Sequence, residues 1–109
     1  VVTAAPWLRS STVLVLTSDH GGIPGSRSHS DAARLENIRV PFVVWGAGVR
    51  PGDIYALNRH LIYPGNSRIG FTGRQPIRNG DLANLSTDIL GLGPVPGSLW
   101  NATQQLTWH

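Results

Sequence analysis

The sequence predicts an α/β fold: a partial doubly wound, mostly parallel sheet with flanking helices. Three observations predict it. Thr12 to Ser18, TVLVLTS, is an unbroken run of Leu and β-branched residues, the composition of a strand buried on both faces. Val40 to Gly46, VPFVVWG, is a second run of the same kind. Asn79 to Gly93, NGDLANLSTDILGLG, carries Leu82, Leu85, Ile89, Leu90 and Leu92 at helical spacing. Strand, crossover, strand and helix in that order form an α/β pattern.

Each element has its own signals. Val1 to Leu8 reads as the tail of a helix interrupted by Pro6. Pro41 can stand at the start of the second strand, where no ladder hydrogen bond is lost. Between the strands, Ser28 to Asn37 is polar except for Ala32, Ala33 and Leu35, with room for one short helical turn. Gly46 to Ala56 reads as loop with a short strand. Leu57 to Gly73 has no clear period, holds a Pro64-Gly65-Asn66 turn signal, and reads as a mobile excursion. Asn79 or Asp81 can cap the last helix, and Gly91 or Gly93 can end it before Pro94. The tail from Val95 to His109 bears Trp100 and Trp108, as core or as a partner surface, while Trp45 is expected in the core. No internal repeat is present.

Composition narrows the function classes. A chain of 109 residues suits one small domain and can bury roughly two thirds of its unfolded surface. With 40% hydrophobic and 14% charged residues it is neither disordered nor highly charged. No apolar stretch approaches the ~20 residues of a membrane span, and no signal-peptide pattern opens the chain. Without Cys, disulfides and thiolate metal sites are excluded. The formal charge of +3 comes from nine scattered Arg and few acids; there is no Lys. The Arg form no run and the Phe and Tyr lie apart, so no nucleic-acid partner is expected. The chain also has no Met and reads as one segment of a larger domain or a processed piece, the alternative being a mature domain after cleavage.

Chemistry concentrates in VLVLTSDHGG, Val13 to Gly22. Sites in open α/β sheets form at the carboxyl ends of strands, and Asp19 and His20 stand at such an end. A carboxylate oxygen and an imidazole nitrogen together suit Zn²⁺ or another divalent ion. The glycine turn lets both side chains converge, and Gly21 and Gly22 leave room for backbone beside an ion or an anionic substrate. His29, nine residues after His20, can fold back to the same place. Arg27, in the intervening loop, can contact a phosphate bidentately, or be a solvated loop residue.

TVLVLTSDHGG, followed by SHSD and then by IRVPFVVWGAGV, resembles the alkaline phosphatase superfamily, which includes phosphodiesterases, nucleotide pyrophosphatases and sulfatases. QPIRNGDLANLSTDILGLGPVPGS, Gln75 to Ser98, is similar to the helix that closes many of these catalytic domains. The resemblance covers most of Thr12 to Ser98. It implies that Asp19 and His20 ligate one of two divalent ions, and that His29 serves the neighbouring ion or a substrate oxygen. Zn²⁺ is the implied metal, with Mn²⁺, Mg²⁺ or Ca²⁺ as alternatives. Many sulfatases carry Asn where this chain has His20, so His20 favours the phosphatase or phosphodiesterase branch.

The resemblance further implies hydrolysis of a phosphate or sulfate ester through a Ser or Thr nucleophile that lies upstream of this motif. Ser10, Ser11 and Thr12 directly precede the strand and do not fit that role. The rest of the catalytic domain is therefore an expected partner, and the isolated chain is expected to bind metal weakly and to turn nothing over. A periplasmic or secreted setting is favoured by the resemblance alone. The rival reading is a non-catalytic binding module that keeps the α/β fold.

Three further patterns carry less. GAGVRPG, Gly46 to Gly52, departs from the dinucleotide-binding spacing, and Pro51 blocks the helix start that motif requires. Asn84 and Asn101 stand in glycosylation acceptor triplets, Asn84 inside the expected helix. His60 and His109 lack partners at ligand spacing and read as surface residues.

Overall fold

Six elements follow in chain order in a computed structural model that describes residues 4–109. They are α1 (Pro6–Ser11), β1 (Val13–Thr17), α2 (Leu35–Ile38), β2 (Phe42–Gly46), α3 (Ile54–Leu57) and α4 (Asp81–Ile89). Helices and a sheet are mixed, as the α/β reading expects. Pro6 opens α1 instead of interrupting a helix, because a first-turn residue has no intrahelical N–H bond to lose. The portion of the helix-tail reading on Val1 to Thr3 lies outside the described residues.

The sheet corrects the expectation of parallel strands. β1 and β2 pair antiparallel, with Leu14 opposite Trp45 and Leu16 opposite Val43. A parallel return needs a crossover of a dozen or more residues, usually a helix. The connection between these strands, residues 18–41, is long enough for one, but its one helix is the four-residue α2, which rises only about 6 Å against the ~17 Å of a five-residue strand. Nor are the strands buried on both faces. Leu14, Leu16, Val43 and Trp45 share one face and stay about half exposed, so Trp45 is not a core residue. The opposite face packs inward, with α4 against β1.

α4 starts and stops for separate reasons. Gly80 occupies the cap position with no side-chain bond, while the Asp81 carboxylate accepts the Arg78 N–H at 2.8 Å. Burial of Asp81 raises its carboxyl above the usual range, against the lowering effect of that bond. The end is a Schellman motif: Gly91 takes φ 68°, its N–H reaches the Asp88 carbonyl at 2.9 Å, and the Leu92 N–H reaches Thr87 at 2.8 Å. Gly91, not Gly93, therefore ends the helix. The expected short strand after Gly46 is absent. There, Asp53 caps α3 by accepting the Tyr55 N–H at 2.8 Å.

The interior is held by amides more than by apolar volume. Among the described residues only Leu85 and Leu106 are buried hydrophobics, whereas Asn37, Asn58, Asp81 and Asn84 are buried polar residues. Asn58, 0% exposed, donates to the Ile54 and Thr107 carbonyls and accepts the Thr107 N–H at 2.7 Å, tying the tail to α3 across 49 residues. Asn84, also 0% exposed, donates to Ser98 Oγ and to the Trp100 carbonyl and accepts the Val95 N–H at 2.7 Å. In this fold its nitrogen is not accessible to a glycosyl group. The Asn101 side-chain nitrogen is likewise buried. Trp108 belongs to the packed tail, donating from its indole N–H to Asp88 at 3.0 Å.

Residues 58–80 contain no helix or strand, a span that takes in all of the Leu57–Gly73 stretch without a period except Leu57, which ends α3. The turn at Pro64 forms, closed by the Ser67 N–H on the Pro64 carbonyl at 2.9 Å. The segment is nevertheless tethered along its length. Arg74 donates to the carbonyls of Arg59, His60 and Leu61, and Arg39, Arg68 and Arg78 hold it further along. No helix among the described residues is long and apolar enough to cross a membrane.

Candidate metal centre

β1 ends at Thr17 and delivers Ser18, Asp19 and His20 into a turn fixed by short polar bonds. Ser18 Oγ donates to the His20 carbonyl at 2.6 Å. The His20 backbone N–H donates to Asp19 Oδ1 at 2.9 Å, and it is the chief influence holding the Asp19 carboxyl below its usual range. Asp19 is thus an anion at neutral pH. Its Oδ2 remains directed at His20 Nε2, 3.4 Å away.

The imidazole of His20 is oriented from its other side. Nδ1 lies 2.6 Å from the Gly21 carbonyl. A carbonyl only accepts, so Nδ1 carries the hydrogen and Nε2 presents the lone pair in the neutral ring. This is the arrangement that readies Nε2 as a metal ligand. Nε2 and Oδ2 then face one another as two acceptors. Their 3.4 Å separation exceeds a good hydrogen bond of about 2.7–3.2 Å. It equals the ligand-to-ligand spacing of about 3.4 Å that a tetrahedral Zn²⁺ imposes on a nitrogen and an oxygen. The donor pair fits a divalent ion.

His29 reaches the same place in a different manner. Its ring stacks on that of His20, with centroids 3.8 Å apart and planes 17° from parallel. An imidazole lone pair lies in the ring plane, so two stacked rings do not aim at a common point. In this geometry His29 is not a third ligand to the ion that Asp19 and His20 could share. Among the described residues no group of three or more His, Cys, Asp or Glu is arranged to hold one metal ion. Arg27 is exposed on the loop and does not line the cavity that the other three share.

The glycines serve the chain itself more than an ion. The Gly21 N–H bonds the Asn37 carbonyl at 2.8 Å, and α2 ends against this turn. A Cβ on Gly21 would lie 2.0 Å from the Glu36 carbonyl oxygen, so only glycine lets the two backbones approach. Gly22 has nothing within 4 Å of its own Cβ position.

Two sets of residues emerge here that sequence reading missed. Asn79, expected as a helix cap, instead donates its side-chain amide to the Ser18 and Asp19 carbonyls at 3.2 and 2.8 Å, pinning the exit of β1 to the start of α4. The second set lines a cavity of about 1030 Å³ that opens beside Asp19, His20 and His29. Its walls include Arg39, Arg68 and Arg78, with Tyr63, Phe71 and Trp100. These residues are far apart in the chain and carry no shared motif, so no sequence signal groups them.

No protein-family model matches the chain, and no solved structure matches it.

Proposed function

We propose that this chain contributes part of the metal site of a hydrolase acting on phosphoric, or alternatively sulfuric, esters, of the alkaline phosphatase superfamily type. The observation that carries the reading is the 3.4 Å gap between His20 Nε2 and Asp19 Oδ2, two acceptors facing each other at the spacing of metal ligands. Asp19 and His20 would hold one divalent ion, Zn²⁺ by preference. His29 would serve a neighbouring ion or a substrate oxygen. Two such ions would polarise the ester oxygens and stabilise the charge that develops on the transferring group. The chain's own contribution is placement: the Gly21 carbonyl sets the His20 ring, and Ser18 and Asn79 set the backbone beneath it.

The nucleophile and remaining ligands would come from the rest of the catalytic domain. The half-exposed apolar face of Leu14, Leu16, Val43 and Trp45 supports that partner. A two-stranded sheet with an uncovered apolar face and open edges favours further strands and helices of the same sheet over solvent. β1 and β2 would then be an antiparallel portion of a larger, mostly parallel, doubly wound sheet.

Zn²⁺ titration followed by calorimetry tests the reading. The chain is expected to bind Zn²⁺ weakly, since each ion keeps only one or two of its ligands. His20→Ala should weaken binding by about tenfold or more, the range expected when metal-site groups are removed. Zn²⁺ binding that is indifferent to both His20→Ala and Asp19→Ala would overturn it. Ester turnover by the chain alone, lost in His20→Ala, would instead show that the site needs no further domain.

A further inference from the structure

Two guanidinium groups, of Arg39 and Arg78, hold one short segment, Pro64 to Gly70, which carries a third, Arg68, and forms a wall of the cavity beside Asp19 and His20. Arg39 donates to the Gly65 carbonyl and to Asn66 Oδ1. Arg78 donates to the Ile69 and Gly70 carbonyls and to Gln75 Oε1. Arg68 lies between these anchor points and donates to the Ala32 carbonyl at 2.8 Å, which joins this wall to the loop that carries His29. The plane of Arg78 is further fixed by Phe71 and Trp100, whose ring centroids lie 4.7 and 5.2 Å from its central carbon.

Every acceptor in this set is a neutral oxygen. The close contacts between basic and acidic side chains among the described residues are His20 with Asp19 and Arg34 with Glu36, and neither engages Arg39, Arg68 or Arg78. Glu36, whose carboxyl is lowered chiefly by its bond to Arg34 and least by the charge of Arg39, is already bonded to Arg34. The cavity lining therefore holds three guanidinium charges against one carboxylate, Asp19. Nε and Nη1 of Arg39, Nε and Nη2 of Arg68, and Nη1 of Arg78 have no hydrogen-bond partner among the described residues. Guanidinium donors arranged in a planar fork match the oxygens of a tetrahedral anion.

We propose that Arg39, Arg68 and Arg78 form an oxyanion subsite distinct from the metal centre, one that binds a second phosphate-type group of the substrate. The assignment to a substrate rests on the ester-hydrolase reading; the binding of an oxyanion by the three arginines does not. The preferred substrate class is then an ester bearing two anionic groups, one at Asp19 and His20 and one on the arginine wall. A substrate with a single anionic group would leave the wall's charges unmatched.

Inorganic phosphate is the probe, titrated calorimetrically into metal-free protein at low salt. Saturable binding is expected, weakening as salt screens the charges. Arg39→Gln with Arg68→Gln should lower the affinity about tenfold or more, since Gln keeps a donor for the tethering carbonyls but no charge. Arg68→Gln alone, which touches a single bond, serves if the double variant is unfolded by circular dichroism, and should give a smaller loss in the same direction. Asp19→Asn, which removes the one carboxylate of the lining, should tighten phosphate binding in the metal-free protein, the opposite of its effect on Zn²⁺. If the metal reading fails and this pattern persists, the subsite stands. The inference is overturned if metal-free protein binds no phosphate, or if binding requires Zn²⁺ and Asp19 and ignores the arginines.

Discussion

Replacing Asn84 with leucine is expected to lower stability by about 4 kcal/mol, because each buried group left without its partner costs about 1–3 kcal/mol. Leucine keeps the branching at Cγ but is the larger side chain, so crowding at this fully buried position adds to the loss. What is lost is a set of bonds: the Val95 N–H loses its acceptor, the Ser98 hydroxyl loses its donor, and the Trp100 carbonyl keeps only the long 3.4 Å bond from Ser98. A domain of this size has a total stability of about 5–15 kcal/mol, so the loss takes a large share of it. Urea unfolding followed by far-ultraviolet circular dichroism checks the result. A midpoint unchanged from the parent would show that these bonds are replaced by water at little cost.

Gly21→Ala carries the second large effect, and it acts on fold and site together. The new methyl would sit 2.0 Å from the Glu36 oxygen and 2.5 Å from the Arg39 oxygen, both backbone atoms that no rotamer change can move. α2 must shift away from the turn, at a cost of about 1–3 kcal/mol. The shift also displaces the Gly21 carbonyl that holds His20 Nδ1. Zn²⁺ affinity should therefore fall with stability, by about tenfold for the loss of an orienting partner. Gly22→Ala is the control, since its Cβ meets no atom within 4 Å and its effect should lie within about 0.5 kcal/mol. Equal behaviour of the two alanine variants in unfolding and in Zn²⁺ titration would contradict the steric account.

Local signals in the sequence were the legible ones. The apolar runs of β1 and β2, the leucine spacing of α4 and the glycine that ends it are all encoded within a few residues of where they act. Asp19, His20 and His29 could be singled out because the first two are adjacent and the third is one loop away. Strand direction was not legible, since an apolar run reads the same in either orientation and the connection, residues 18–41, is long enough for both. The amide clamps were hidden for another reason. Asn58 and Asn84 look like ordinary loop and helix residues, and their bonds reach partners up to 49 residues distant. Arg39, Arg68 and Arg78 are brought together by the path of a segment without periodic structure, which pattern reading cannot trace.

The scarcity of oil in this interior bears on how the protein responds to temperature. Heat capacity rises when unfolding exposes apolar surface and falls when it exposes polar surface. A core in which buried asparagines outnumber buried leucines releases both kinds, and the two contributions oppose each other. The increment on unfolding should fall below the ~12–15 cal/mol/K per residue of ordinary domains, as differential scanning calorimetry would record. Its stability curve would then be broad and shallow, changing little on cooling and declining gently on warming.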